Sequence, residues 1–252
     1  MTIIRLAAGA LAATFALASP ALAEMKTQWV EYNHGEAQLK GYMAWDDSKT
    51  GKRPAIFIIH DRSGMTDRTK HTVEEWSKLG YVVFAADIYG VLPKDIKEIV
   101  AQTTIYRKDR ALMKARTQAG FDALIKNPMV DASKVAIIGY CFGGTVGVEF
   151  GATGAPLAAN IVIHGSYGDH EPGWAKNLKG HFMILHGAED PNYPKEVDKV
   201  IAELRDAKAS FEMHLYSGAG HGFAHPRSKA DERANEQSVA TTARTLKALF
   251  GI

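Results

Sequence analysis

Short apolar runs alternate with segments of helical hydrophobic spacing over most of this chain. From residue 54 onward, runs rich in β-branched residues end in polar or Gly-containing segments, as buried strands do where they meet a loop. Strand and helix alternate without an internal repeat, which predicts a mostly parallel, doubly wound α/β sheet with right-handed crossovers. The predicted strands are residues 55–59, 81–86, 135–138, 157–164, 182–186 and 211–216, and the predicted helices are residues 68–79, 96–103, 108–127, 195–207 and 231–250.

The segment before residue 54 has a different pattern. Residues 28–33 and 37–45 are predicted to be extended, and the turn-forming residues 34–36 separate them. Two strands joined by so short a turn predict an N-terminal antiparallel hairpin that precedes the parallel strands.

The first 23 residues are predicted to be a secretory signal peptide. Arg5 is their only charged side chain, residues 6–18 are rich in Ala and Leu, and Ala-Leu-Ala at residues 21–23 fits the small-x-small cleavage rule. An uncleaved membrane anchor is the alternative, which the short apolar stretch disfavours. We therefore expect one mature domain of residues 24–252, periplasmic or secreted, with no membrane association after cleavage.

The charge balance restricts the class of partner. The chain has 30 Lys and Arg residues against 28 Asp and Glu residues, and loss of Arg5 leaves 29 against 28. Because positive and negative charges are nearly equal in number, a nucleic acid or an acidic membrane surface is not expected as partner. The remaining length is sufficient for one α/β domain with a large core. We expect a small-molecule substrate and a monomer or small homo-oligomer.

The chain has a single cysteine, Cys141. An exported protein with one cysteine cannot form an internal disulfide, so we expect a free thiol. Because a free thiol in an oxidising compartment is open to oxidation, its presence is easier to understand if the thiol has a chemical role.

Cys141 lies in residues 134–145, with the sequence KVAIIGYCFGGT, where a predicted strand passes into a predicted helix. The pattern G-x-C-x-G-G is that of a nucleophile elbow with cysteine in place of serine, and Gly139 and Gly143 leave room for strand and helix to pass closely. A helix N-terminus favours a thiolate, and the Phe142 N–H would point toward an oxyanion. The alternative is a buried structural cysteine in a Gly-rich turn.

Asp190 and His221 each follow a later predicted strand, so both can meet Cys141 at one edge of the sheet. The chain order nucleophile, acid, histidine is that of α/β-hydrolase triads. In such a triad the imidazole takes the proton of the thiol, and the carboxylate fixes the imidazole tautomer. The alternatives are a turn aspartate before Pro191 and a loop histidine without a catalytic role.

Five motifs resemble the dienelactone hydrolase family of the α/β-hydrolase fold. They are HDRSG at 60–64, DIYG at 87–90, GYCFGG at 139–144, HGAEDP at 186–191 and GAGHGF at 218–223. The resemblance covers nearly all of the chain after residue 23. It implies a carboxymethylenebutenolidase-type hydrolase of carboxylic esters or enol-lactones, acting through a thioester to Cys141 with no metal or organic cofactor.

The resemblance also implies roles for two residues after the strand at 55–59. Asp61 matches an acidic residue that lies near the nucleophile in the family, where the type enzymes carry glutamate, and it would influence the protonation of the thiol. A capping or salt-bridging aspartate is the alternative. Arg62 or its backbone N–H would form the oxyanion hole together with the Phe142 N–H.

At two positions the chain departs from the family pattern. Family members hold a substrate carboxylate with arginines just after the DIYG-like segment and just after His-Gly-Phe-Ala, and Val91 and His225 stand there in this chain. Valine cannot replace a bidentate guanidinium, so recognition of a carboxylate-bearing lactone is left open. Arg62 and Arg227, on the predicted loops, are the candidate replacements for these arginines.

Aromatic residues and histidines on the predicted loops complete the candidates. The candidate substrate-binding residues are Tyr89, Trp174, Phe223 and His225. For the aromatic ones, core packing is the alternative, because aromatic side chains dominate cores. His60, His164 and His186 stand at strand ends without the ligand spacing of a metal site, so we expect no metal.

Taken together, these patterns favour an exported, cysteine-dependent ester or lactone hydrolase. The alternatives are a broad-specificity carboxylesterase and a non-catalytic binding protein of the same fold. A redox-active thiol protein is disfavoured, because no second cysteine is present to resolve an oxidised intermediate.

Overall fold

A computed structural model describes residues 24–167 and 170–252, so the predicted signal peptide lies outside the described residues. The strands are β1 (Met25–His34), β2 (Ala37–Asp46), β3 (Arg53–Ile59), β4 (Val82–Ala86), β5 (Val130–Tyr140), β6 (Ala159–Ile163), β7 (His181–Gly187) and β8 (Phe211–Tyr216). The helices are α1 (Asp67–Ser77), α2 (Ile96–Lys108), α3 (Arg110–Ile125), α4 (Phe142–Ala152), α5 (Lys195–Asp206) and α6 (Lys229–Phe250), with a short 3₁₀ helix at Trp174–Asn177.

The strands within this part of the chain form one eight-stranded sheet in the order β1-β2-β4-β3-β5-β6-β7-β8. β1 and β2 pair antiparallel from Met25 opposite Asp46 to His34 opposite Ala37, and β2 pairs antiparallel with β4. All the other pairs are parallel. The predicted doubly wound sheet with an N-terminal antiparallel hairpin is therefore confirmed.

β5 lies near the middle of the sheet, between β3 and β6. Successive side chains of a strand point to opposite faces, and those of β5 enter two different apolar cores. Ala136 and Ile138 pack in the core that α1 and α6 cover, whereas Val135 and Ile137 pack in the core that α2, α3 and α4 cover. Burial on both faces explains why this strand is a continuous apolar run.

The structure also moves some predicted boundaries. α2 continues to Lys108 instead of ending near residue 103, and Asp109 separates it from α3 by capping α3, since the Asp109 carboxylate accepts the Leu112 N–H at 2.8 Å. The segment between β6 and β7, for which no helix was predicted, contains the 3₁₀ helix Trp174–Asn177. α6 begins earlier than predicted, because Ser228 caps it by accepting the Asp231 N–H at 3.1 Å.

No helix in the described part of the chain has both the length and the apolar character that crossing a membrane requires.

Candidate active site

The three residues of the predicted triad meet at the carboxyl edge of the sheet. Cys141 follows β5, Asp190 follows β7, and His221 follows β8. The Cys141 Sγ lies 3.1 Å from His221 Nε2, and His221 Nδ1 lies 2.7 Å from Asp190 Oδ2. The structure thus brings together a thiol, an imidazole and a carboxylate in hydrogen-bonding order.

Cys141 occupies a strained turn between β5 and α4. Its φ of 52° and ψ of −112° lie outside the regions that a residue with a side chain adopts readily. A Cβ at Gly139 would lie 2.1 Å from the Gly143 carbonyl oxygen, and one at Gly143 would lie 2.4 Å from the Ile59 carbonyl oxygen. The close approach of backbone segments that we predicted for these two glycines is therefore present.

The Asp190 carboxylate is buried and has contacts on both oxygens. Oδ1 accepts the Asn192 N–H at 3.0 Å, while Oδ2 lies 2.7 Å from His221 Nδ1 and 3.3 Å from His186 Nε2. Burial alone would raise the pKa of Asp190, but the side chains of His186 and His221 outweigh it and hold that pKa well below its usual range. The Asp190 carboxylate is therefore ionised in the folded protein at neutral pH.

His221 has a pKa raised to about 10, first by its hydrogen bond to Asp190 and then by its contact with Cys141. Both contacts favour the charged imidazolium. An imidazolium 3.1 Å from a sulfur atom stabilises a thiolate, so this pair of side chains can supply a nucleophile and receive its proton.

Phe142 is the first residue of α4, and its N–H therefore lies in the first turn, which has no intrahelical acceptor for it. This N–H follows the sulfur directly in the chain, which is the position that an oxyanion hole requires. The Phe142 ring is fully buried, so only its backbone is available for this role.

A cleft of about 870 Å³ opens over Cys141 and His221. The residues that line it come from the loop after β3, from α2, from the loop after β6 and from the loop after β8. They include Asp61, Arg62, Ser63, Arg68, Val100, Thr103, Thr104, Arg107, His164, Ser166, His225 and Arg227. Its lining carries four arginines and one carboxylate, so the cleft is cationic although the chain as a whole is nearly neutral.

A sequence model of the dienelactone hydrolase family matches residues 39–250. The chain belongs to this family. The match covers the sheet from β2 onward together with Cys141, Asp190 and His221. The α/β-hydrolase fold that the motifs predicted is thereby confirmed, and the protein is a dienelactone hydrolase-like hydrolase.

Individual relatives agree with this family assignment. A protein of Synechocystis sp., provisionally named a carboxymethylenebutenolidase, is 26% identical over 250 residues, which cover 90% of this chain and 97% of the relative. A carboxymethylenebutenolidase homolog of Homo sapiens is 23% identical, covering 82% of this chain and 85% of its own. The crystal structure of a dienelactone hydrolase-like promiscuous phosphotriesterase from metagenomic libraries is 30% identical, with a TM-score of 0.85 over 90% of this chain and 99% of that one.

In this dienelactone hydrolase family member, Asp61 borders the cleft beside His225. Asp61 Oδ1 accepts the Ser63 N–H at 2.7 Å, and Oδ2 lies 3.4 Å from His225 Nε2. Burial would raise the pKa of Asp61, but His225 and the Ser63 N–H outweigh it and hold the pKa well below its usual range. Arg62 is exposed and lines the cleft, and its carbonyl accepts the Tyr89 hydroxyl at 3.3 Å.

Of the four candidate substrate-binding residues, His225 alone borders the cleft. Tyr89 is buried between Tyr106 and Phe142, at ring-centroid distances of 5.4 and 5.6 Å. We therefore correct the prediction for Tyr89: its ring belongs to the wall behind the cleft, because α2 covers it.

Trp174 and Phe223 are likewise corrected. Trp174 packs 5.6 Å from Phe182 in the core beneath α5, and it borders a separate cleft of about 290 Å³ on that side. Phe223 is fully buried and packs against His164 and Tyr216. The alternative of core packing holds for both, since their rings fill space between the sheet and the helices.

Three buried histidines surround the site. In the sequence, only their position at strand ends indicated that they would lie near it. His60 Nδ1 lies 2.6 Å from the Asp61 carbonyl oxygen and its Nε2 accepts the Ile88 N–H at 3.3 Å, which places its proton on Nδ1 and ties the loops after β3 and β4 together. His186 contacts the Asp190 carboxylate. His164 packs 5.5 Å from the His221 ring with an unusual φ of 40°.

Within residues 24–167 and 170–252, no group of three or more His, Cys, Asp or Glu side chains has an arrangement suited to a metal ion. That the reaction needs no metal or organic cofactor stays a prediction.

Proposed function

We propose that this protein is an exported, cysteine-dependent hydrolase of carboxylic esters or enol-lactones that acts through a thioester to Cys141. One observation carries the proposal. The Cys141 sulfur lies 3.1 Å from an imidazole nitrogen whose partner nitrogen lies 2.7 Å from a buried carboxylate, at the floor of an open cleft. This is the arrangement that nucleophilic acyl transfer requires.

In the proposed first half-reaction, His221 takes the Cys141 proton and the thiolate attacks the carbonyl carbon. The Phe142 N–H and the Arg62 region stabilise the oxyanion of the tetrahedral intermediate. Its collapse breaks the bond to the alcohol oxygen, which leaves with the proton held by His221. The product is a thioester between the acyl group and Cys141.

In the second half-reaction, His221 takes a proton from water as the water oxygen attacks the thioester carbon. The C–S bond then breaks, the carboxylic acid leaves, and the sulfur recovers its proton from His221. Asp190 keeps Nδ1 of His221 protonated in both halves, because its carboxylate accepts that N–H. Asp61, held by His225 and Ser63, adds a fixed negative charge to the cleft wall and thereby influences the thiol.

A broad-specificity carboxylesterase is the second candidate, and the cleft gives a reason to weigh it. Val91 is exposed and has no charge, and His225 is paired with Asp61. Arg62 and Arg227 both line the cleft, but the Arg227 guanidinium donates to the His221 carbonyl at 2.7 Å. A carboxylate-bearing lactone would therefore meet different cations from those that the family resemblance implies.

The test is a substrate panel for the purified mature protein, comprising a dienelactone, short 4-nitrophenyl esters and a phosphotriester. We expect ester or lactone hydrolysis, with kcat/KM reduced roughly 10³-fold or more in Cys141→Ala and in His221→Ala. Ser166→Ala is the matched control, because Ser166 lines the same cleft and contacts Cys141 through its backbone N–H.

Undiminished rates in Cys141→Ala and His221→Ala would remove the triad from the mechanism. Stoichiometric alkylation of Cys141 with no turnover of any substrate would favour the non-catalytic binding protein. A phosphotriester as the only substrate would assign the thiol to phosphoryl chemistry, the activity for which the metagenomic relative is named.

The export part of the proposal rests on the composition of residues 1–23. Expression of the full chain in a bacterium, followed by fractionation and intact-mass measurement, tests it. We expect a periplasmic or secreted product that begins at Glu24, and a full-length cytoplasmic product would contradict export.

A further inference from the structure

α2 presents one continuous face to the cleft. Val100, Thr103, Thr104 and Arg107 all line it, and their spacing of three, four and seven residues places them along one side of a helix. Ile96 lies one turn before Val100 on the same side. We refer to Ile96, Val100, Thr103, Thr104 and Arg107 as the cleft stripe of α2.

The outer half of the cleft stripe is apolar and exposed. Ile96 is 59% exposed and Val100 is 51% exposed, and Tyr106 is the one buried residue among the 13 of α2. Of the 11 exposed large hydrophobic side chains in the described residues, four fall within residues 91–100. Single exposed apolar residues are ordinary on protein surfaces, but a cluster that continues outward from a cleft-lining residue, here Val100, marks a binding surface.

The direction of α2 gives the stripe a polar end and an apolar end. Tyr106, near the C-terminus of α2, stacks on Tyr89, which packs against Phe142 beside the sulfur. The C-terminal end therefore lies toward Cys141. At the 1.5 Å rise of a helix, Val100 lies about 10 Å and Ile96 about 16 Å from Arg107 along the axis. A ligand that runs outward from the sulfur would pass Thr103 and Thr104 first and the two aliphatic side chains last.

We propose that Ile96 and Val100 bind a long apolar arm of the ester, remote from the reacting carbonyl. The cleft stripe then selects esters with an extended hydrocarbon group over compact ones. Continuity between the stripe and the catalytic cleft identifies the substrate as the occupant, in preference to a second copy of the chain. The proposal rests on the ester hydrolase activity proposed above, and it names the substrate class for that site.

Two ester series distinguish the possible sources of the arm. In one, 4-nitrophenyl acetate, butyrate and octanoate vary the acyl group, and in the other, ethyl, butyl and octyl acetates vary the alcohol. We expect kcat/KM to rise at least about tenfold from the short to the long member of one series. Val100→Ser and Ile96→Ser should each lose most of this rise, measured within each variant as the ratio of kcat/KM for the longest ester to kcat/KM for the shortest.

Ile105→Ser is the matched control. Ile105 is on the same helix and is 46% exposed, but it is five residues from Val100 and lies on the opposite side of α2 from the cleft stripe. It makes the same exchange of a β-branched residue for serine, so any general effect on helix stability is shared. We expect it to keep the wild-type preference for long esters.

Equal kcat/KM across both series would overturn the proposal, as would a chain-length preference that Val100→Ser leaves intact or that Ile105→Ser also removes. A wild-type dimer that Val100→Ser dissociates in sedimentation would reassign the stripe to self-association. If no ester is hydrolysed, the proposed function fails, and calorimetric titration with octan-1-ol then tests whether the cleft stripe binds an apolar chain. Binding that Val100→Ser abolishes and Ile105→Ser retains supports the stripe, whereas no binding, or equal binding by all three proteins, rejects it.

Discussion

Gly139→Ala tests the backbone geometry on which the candidate site depends. A Cβ at this position would lie 2.1 Å from the oxygen and 2.4 Å from the carbon of the Gly143 carbonyl, and 2.8 Å from the Gly144 nitrogen. Favourable contacts between heavy atoms begin near ~3.5 Å, so all three lie far inside repulsive range. The atoms that obstruct the methyl group are backbone atoms in the first turn of α4, which cannot rotate away as a side chain would.

The size of the effect follows from two opposing contributions. Insertion of one carbon into a closely packed site costs about 1–3 kcal/mol or more, because the strand and the helix must separate. Loss of glycine flexibility in the unfolded chain returns about 0.4–1 kcal/mol. We expect a net destabilisation of about 2 kcal/mol, which for a domain of this size lowers Tm by roughly 4–8 °C.

The assay combines urea unfolding with the alkylation rate of Cys141 by iodoacetamide. Displacement of α4 moves the helix N-terminus and the sulfur relative to His221, so we expect slower alkylation at neutral pH as well as lower stability. Gly220→Ala is the control, since the nearest atom to its Cβ would be the Glu189 carbonyl oxygen at 4.0 Å. A Gly139→Ala variant as stable and as reactive as the wild type would refute the close-approach explanation of the elbow.

Three further predictions concern charge. In Asp190→Asn the pKa of His221 should fall from about 10 toward ~6.5, as measured by NMR titration. A raised pKa of His221 stabilises the fold below pH ~6.5, and this stabilisation is lost as pH rises toward 10. The difference in free energy of unfolding between the wild type and the variant, measured with urea, should therefore shrink over that range. A constant difference would contradict the role of Asp190 in raising the His221 pKa. Burial lowers the pKa of His164 to about 3, so the free energy of unfolding of the wild type should fall by up to about 1.4 kcal/mol per pH unit as pH drops below ~6.5. In His164→Asn, where asparagine tolerates the positive φ, the free energy of unfolding should depend less on pH. Equal pH dependence in the two proteins would contradict this role of His164. The Asp61 carboxylate has a lowered pKa, so Asp61→Asn should be less stable than the wild type at pH 7, and this difference should vanish at strongly acidic pH. A stability difference that persists in acid would show that the charge of Asp61 is not its source.

Local sequence patterns determined most of the fold of this protein. The strands around Cys141 are buried on both faces, so their apolar runs are unbroken and easily recognised, and the glycines at 139 and 143 mark where two backbones approach. α2 was harder to delimit, because only Tyr106 is buried in it and its hydrophobic spacing is correspondingly weak. Two capping carboxylates mark the boundaries: Asp95 accepts the Glu98 N–H where α2 begins, and Asp109 accepts the Leu112 N–H where α3 begins directly after α2.

The sequence by itself determined the order of elements and the three residues that converge at the sheet edge, because a strand followed by a loop delivers its next residues to that edge wherever the strand lies. Only the tertiary structure decided which other side chains face the cleft. Trp174 and Phe223 follow strands as Asp190 and His221 do, yet their rings fill the core, while His186 reaches Asp190 and α2 forms a cleft wall. The direction of a side chain on a loop depends on the volume left between packed helices and strands, and that volume is a property of the whole fold rather than of any local segment.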